Sequence, residues 1–126
     1  MSPFSAHLRQ LRERGNLKQK ELALKLGYEP SYLSALERSQ KGPPRRDFLD
    51  RLVGALELSE AEQQALNEAV SASRRQITLP SSAAEMEYVF IRELEPMLGR
   101  LRPEQIYLMR LALSLPESVR VPDMPL

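Results

Sequence analysis

Cysteine is absent, histidine occurs once and glycine only five times in 126 residues. Without cysteine there are no disulfides, no thiolate metal sites and no Cys–His nucleophile pairs. The single histidine, His7, has no acidic or nucleophilic partner at a suggestive spacing, so it reads as a surface or half-buried helix residue. The scattered glycines form no phosphate-cradling loop. Ser81 and Ser114 lack a His or Lys partner that would make either a nucleophile, and the carboxylates lie along helical faces as solvated charge. No catalytic residue, metal or cofactor is therefore expected. No leader and no membrane-length apolar run is visible. With the missing cysteine, this suggests a cytoplasmic protein that does not engage a membrane.

An excess of one charge is lacking too: 18 Lys and Arg stand against 17 Asp and Glu, a net of +1. The distribution is uneven, however. Residues 1–56 hold eleven cations and six anions, a net of +5, while residues 57–126 hold seven and eleven, a net of −4. A basic part facing a polyanion and an acidic part turned away from it would give this asymmetry. The 42% hydrophobic content is enough for a core, and the length suits one domain with an appendage.

What is present is helical periodicity. Phe4, Leu8 and Leu11 predict a first helix from Pro3 to Arg14, with Arg9, Arg12 and Arg14 mostly outward. Gly15-Asn16 ends it. The stretch from Lys18 to Arg38 reads as two short helices and a tight turn. Leu22, Ala23 and Leu26 give the first of them an inner face, and Gly27 ends it. Pro30 suits the first position of the next helix, whose Leu33 and Leu36 face inward. Pro30, Ser31, Ser34, Ala35 and Arg38 lie toward the other side. A basic loop, Ser39 to Arg46, follows. A fourth helix is expected over Asp47 to Leu56, with Phe48, Leu49, Leu52, Val53 and Leu56 apolar. A fifth opens on the capping box Ser59–Glu62 and runs to about Arg75.

This stretch resembles the helix-turn-helix of the XRE/Cro class of bacterial and phage regulators. The matching features are Gln19, Glu21-Leu22-Ala23, Leu26-Gly27, Ser31-Tyr32-Leu33-Ser34 and Leu36-Glu37-Arg38. Leu8 to Arg12 before them, and Gly42-Pro43-Pro44 with Leu49 to Leu56 after, also agree. The resemblance spans about residues 4–70. It implies an all-α fold: a five-helix lambda-repressor-like DNA-binding domain over residues 1–75, followed by a helical extension. It also implies a sequence-specific regulator, a repressor, acting on double-stranded DNA as a homodimer. Mapped onto this chain, Gln19 with Lys18 beside it meets the backbone, and Pro30, Ser31, Ser34 and Ala35 enter the groove. Arg38, Lys41, Arg45 and Arg46 are read as phosphate contacts. Lys18 and Glu29 stand where the class has a Ser or Thr cap; Glu29 could accept from a cytosine amino group.

Residues 76–81 read as a linker. Ser82 and Glu85 form a second S-x-x-E box, where a sixth helix is expected to start. It carries Met86, Val89, Phe90, Leu94 and Met97, and Pro96 stops it near Leu94 or Glu95. A seventh helix from Pro103 to Ser114 or Leu115 is apolar on most sides. Residues 82–115 are accordingly expected to dimerise through Met86, Phe90, Leu94, Ile106, Leu108, Met109 and Leu111. Two alternatives stay open. These helices could fold back onto helix five, or the chain could be an antitoxin-like or protein-interaction module whose helix-turn-helix mainly holds a partner protein; the C-terminal helices are a further possible surface for a protein partner. Residues 116–126 are expected to form a flexible tail.

Overall fold

The chain opens on a serine cap. Ser2 Oγ accepts from the Ser5 amide at 3.1 Å, and Pro3 then starts helix α1, Pro3–Arg14. A computed structural model describes residues 1–120. Among them the regular elements are helices only: α2 (Gln19–Leu26), α3 (Pro30–Glu37), α4 (Arg46–Leu56), α5 (Glu60–Ser71), α6 (Glu85–Leu94) and α7 (Pro103–Leu113), with a single 3-10 turn over Glu95–Met97. The fold is all-α, five helices plus a helical extension. Residues 121–126 of the expected tail lie outside the described residues. Two compact units form, Met1–Thr78 and Leu79–Leu126.

In the first unit, one core gathers the apolar stripes of all five helices. Phe4, Leu8, Leu11, Leu22, Ala23, Leu26, Leu33, Leu36, Phe48, Leu49, Leu52, Leu58 and Leu66 are buried together. Each large member contributes roughly 1.5–3 kcal/mol by leaving water. Besides α1, which ends on left-handed Asn16 with Leu17 N–H on Arg12 O at 3.1 Å, three helices end with a left-handed residue and a long backbone bond reaching back five positions. These are Gly27 after α2, with Tyr28 N–H on Ala23 O at 3.0 Å; Ser39 after α3, with Gln40 N–H on Ala35 O at 2.9 Å; and Glu57 after α4, with Leu58 N–H on Val53 O at 3.1 Å. The Ser59–Glu62 box closes in both directions, at 3.0 and 3.2 Å. It helps hold the Glu62 carboxyl below its ordinary range, mainly through the Ser59 amide, then the Ser59 hydroxyl, then Arg14.

The structure corrects two element boundaries. Helix α5 stops at Ser71, short of Arg75. The buried Ser73 hydroxyl turns back instead, donating to Ala69 O at 2.7 Å and accepting from Phe4 N–H at 2.8 Å, a competition that ends a helix. The expected Ser82–Glu85 box does not form. Pro80 makes a turn closed by Ala83 N–H on its carbonyl at 3.0 Å. The cap of α6 falls on Ala84, whose amide donates to Glu87 Oε2 at 2.6 Å.

The second unit is a short helical hairpin. Pro96 sits in the 3-10 turn that ends α6, and Arg100 donates to its carbonyl at 2.7 Å. Neither α6 nor α7 buries a single residue. Phe90 is 49% exposed and Leu108 63%, and Met86, Ile106 and Leu111 are exposed too. Leu94 and Met109 are half-buried. With Phe90 they line an apolar hollow of about 420 Å³ closed by Ala112 and Leu113.

Candidate nucleic-acid interface

Helix α3 is fixed at its back and open at its front. Leu33, Leu36 and Glu37 fall at i, i+3 and i+4 and all are buried. Glu37 is fully buried, and its carboxylate receives a two-pronged bond from Arg12, Nε to Oε2 at 2.7 Å and Nη2 to Oε1 at 3.0 Å. Arg9 Nε approaches the same carboxylate at 3.6 Å. The paired Glu37 carboxylate raises the Arg12 guanidinium above its ordinary pKa. Arg12 also donates to Leu17 O at 2.9 Å. It is thus an internal clamp between α1 and α3, not the outward charge expected for it. Ser5 adds a second tie, its hydroxyl donating to Leu36 O at 2.6 Å.

The turn between α2 and α3 is held from α4. Gly27 has φ +79°, and a Cβ there would come within 3.3 Å of Arg51 Nη1. That guanidinium donates to Leu26 O at 3.2 Å and lies 5.2 Å from the Tyr28 ring centroid. Tyr28, Tyr32 and Phe48 pack in a triangle with centroids 5.2–5.8 Å apart. Arg51 and this aromatic triangle had no place in the sequence reading. Their signal was available, since Tyr28 and Tyr32 stand at i and i+4 beside an apolar helix.

The front of α3 shows Pro30, Ser31 and Arg38 exposed and Ser34 half-buried. Ala35, expected in the groove, is 8% exposed. The chain turns back at Ser39, with Gln40 N–H on Ala35 O at 2.9 Å. Glu29 caps α3 by backbone only and is exposed, its charge favourable at a helix start. Lys18 is exposed at the start of α2 with Gln19 half-buried beside it. Here the missing Ser cap is partly replaced, because Glu21 Oε1 accepts from the Lys18 amide at 2.9 Å. Arg38 stays close to its own helix, with Nε 3.4 Å from Ser34 O.

The four expected loop-side cations separate into two sets. Arg46 is turned to Asp50 at 3.1 Å and to Asn67 on α5 at 3.4 Å. Arg38, Lys41 and Arg45, like Lys18, form no ion pair among the described residues. Lys41 and Arg45 line a depression of about 440 Å³ with Gly42, Pro43, Pro44, Asp47 and the three aromatics. The described residues contain no group of His, Asp and Glu suited to a metal and no helix long and apolar enough to cross a membrane.

A family model described as a helix-turn-helix domain matches residues 3–66. A solved structure titled "SinR protein/SinI protein complex" is similar at 21% identity and a TM-score of 0.46, over 87% of this chain and 93% of that one. No curated protein matches.

Proposed function

Because the chain belongs to the helix-turn-helix domain family, we propose that it is a sequence-specific transcriptional repressor that binds double-stranded DNA as a homodimer. The coarser ground is the family itself: a helix-turn-helix is a DNA-binding unit, and the chain is a DNA-binding regulator by kind. In this reading α3 enters the major groove with Pro30, Ser31 and Ser34 toward base edges. A bound dimer occupying a promoter blocks it, which makes repression the proposed outcome, in the cytoplasm where its DNA lies.

The observation that supports this most is the set Lys18, Arg38, Lys41 and Arg45, four cations around α2, α3 and the following loop with no acidic partner among the described residues. Phosphate contact is the use this arrangement fits. Four contacts per subunit give about eight per dimer, and log K against log salt should slope near −7. Serines make no two-pronged purine contact, so discrimination rests partly on DNA shape. Ser34→Glu places a negative charge on the front of α3. Operator binding should fall strongly while helical circular dichroism is unchanged. Undiminished affinity would remove α3 from the groove.

A second reading is favoured by one observation, the exposed apolar surface of α6 and α7. The chain would then be an antitoxin-like module that holds a protein partner there. In that case purified protein would sediment as a monomer and gain DNA affinity only when the partner is added.

A further inference from the structure

The depression beside α3 has an unusual lining. Its floor is the Tyr28–Tyr32–Phe48 triangle. The aromatic faces are taken by one another, by Arg51 over Tyr28 and by Lys41, whose Nζ lies 6.0 Å from the Tyr32 centroid. What remains available is polar. Among the described residues no hydrogen bond engages the Tyr32 hydroxyl, and no ion pair engages Lys41 or Arg45. Burial, before the smaller influences of Tyr28 and Asp47, raises the Tyr32 phenol above its ordinary range, so at neutral pH it stays a proton donor. A donor hydroxyl in the same depression as two cations that form no ion pair suits a small tetrahedral anion.

We propose that this depression seats one backbone phosphate of the DNA, the Tyr32 hydroxyl donating to a phosphate oxygen while Lys41 and Arg45 supply counter-charge. The proposal rests on the DNA-binding reading above. Tyr32 lies on the same helix as Ser31 and Ser34, so a phosphate held here fixes how α3 sits against the bases. Such a contact positions without reading sequence. Asp47, on the rim, opposes the anion and keeps the seat from being purely cationic.

The test separates a neutral donor from the charges. Tyr32→Phe keeps the ring in the aromatic triangle and removes only the hydroxyl. It should weaken operator and random duplex alike, by about tenfold, the effect of one hydrogen bond to a charged group. The salt slope should not change, because no charge is lost. Lys41→Ala should flatten the slope by about one per subunit. Asp47→Asn should tighten both duplexes. Wild-type affinity in Tyr32→Phe, with an unchanged melting temperature, overturns the seat. Inorganic phosphate is the second arm, added at constant ionic strength. Millimolar phosphate should displace DNA from the wild type more readily than from Tyr32→Phe; phosphate that binds the wild type without lowering its DNA affinity would make this a free-anion site and overturn the DNA assignment. A wild-type protein that binds no duplex even at low salt refutes the DNA reading itself, a result distinct from either.

Discussion

At the scale of single residues, the most consequential group is Glu37, a carboxylate with no exposure at the end of the inner face of α3. Its charge is tolerable only because Arg12 meets it with two bonds and Arg9 stands nearby. Glu37→Ala leaves the half-buried guanidinium without its carboxylate, and such one-sided losses cost about 3–5 kcal/mol. The expected result is a lower denaturant midpoint with α3 loosened from α1. Glu37→Gln keeps an acceptor and should cost less. Equal stability of Glu37→Ala and wild type in urea would show the pair to be dispensable. The sequence did contain a trace of this pair. Leu33, Leu36 and Glu37 share one helical face, so a charge was visible inside the stripe. Its partner was not, because Arg12 lies 25 positions away and only packing of α1 on α3 brings them together. Ala35 was misplaced for a related reason. Helical angle alone put it outward, whereas it is 8% exposed and the chain returns to its carbonyl just after Ser39.

At the scale of elements, the helices of the first unit were legible because their signals are local and redundant. For α1 a serine cap, a proline at the first position, a 3.6-residue stripe and a terminating glycine agree; α2 joins its stripe to Gly27, and α3 its stripe to Pro30. Where a single signal stood alone, it failed. The Ser82–Glu85 spacing had no proline at its first position and a stripe that begins only at Met86, and the Pro80 turn displaced the start to Glu85. The end of α5 depended on Ser73 reaching Phe4, a contact 69 positions long. The turn between α2 and α3 offers a direct check. Gly27→Ala forces a side chain into the left-handed region at φ +79° and toward Arg51. A cost of about 1–2 kcal/mol is expected from the conformation alone. DNA affinity should fall further than stability does, since Arg51 and Tyr28 would have to move with the turn. A variant as stable as wild type by thermal melting would mean the turn adopts another form.

At the scale of the whole molecule, the division between Thr78 and Leu79 sets the experiment. The first unit has a closed core of its own, whereas α6 and α7 leave their apolar residues exposed. Exposed apolar surface of that extent on a helical pair marks an interaction site, and a second copy is the occupant proposed here. Truncation after Thr78 should give a folded monomer with much weaker operator binding. Leu108→Asp in the full chain should do the same without removing any helix. Full-length protein that sediments as a monomer at tens of micromolar would end the dimer proposal. If the proposed self-association surface and the proposed groove-facing helix lie in separate units, a thermodynamic consequence follows. Two equilibria then share one free-energy cycle, and linkage makes their influence mutual. A paired operator would draw monomers together as much as pairing would strengthen operator binding. Occupancy of the promoter would rise with roughly the square of monomer concentration at low abundance, turning a modest change in synthesis of the chain into a steep change in transcription.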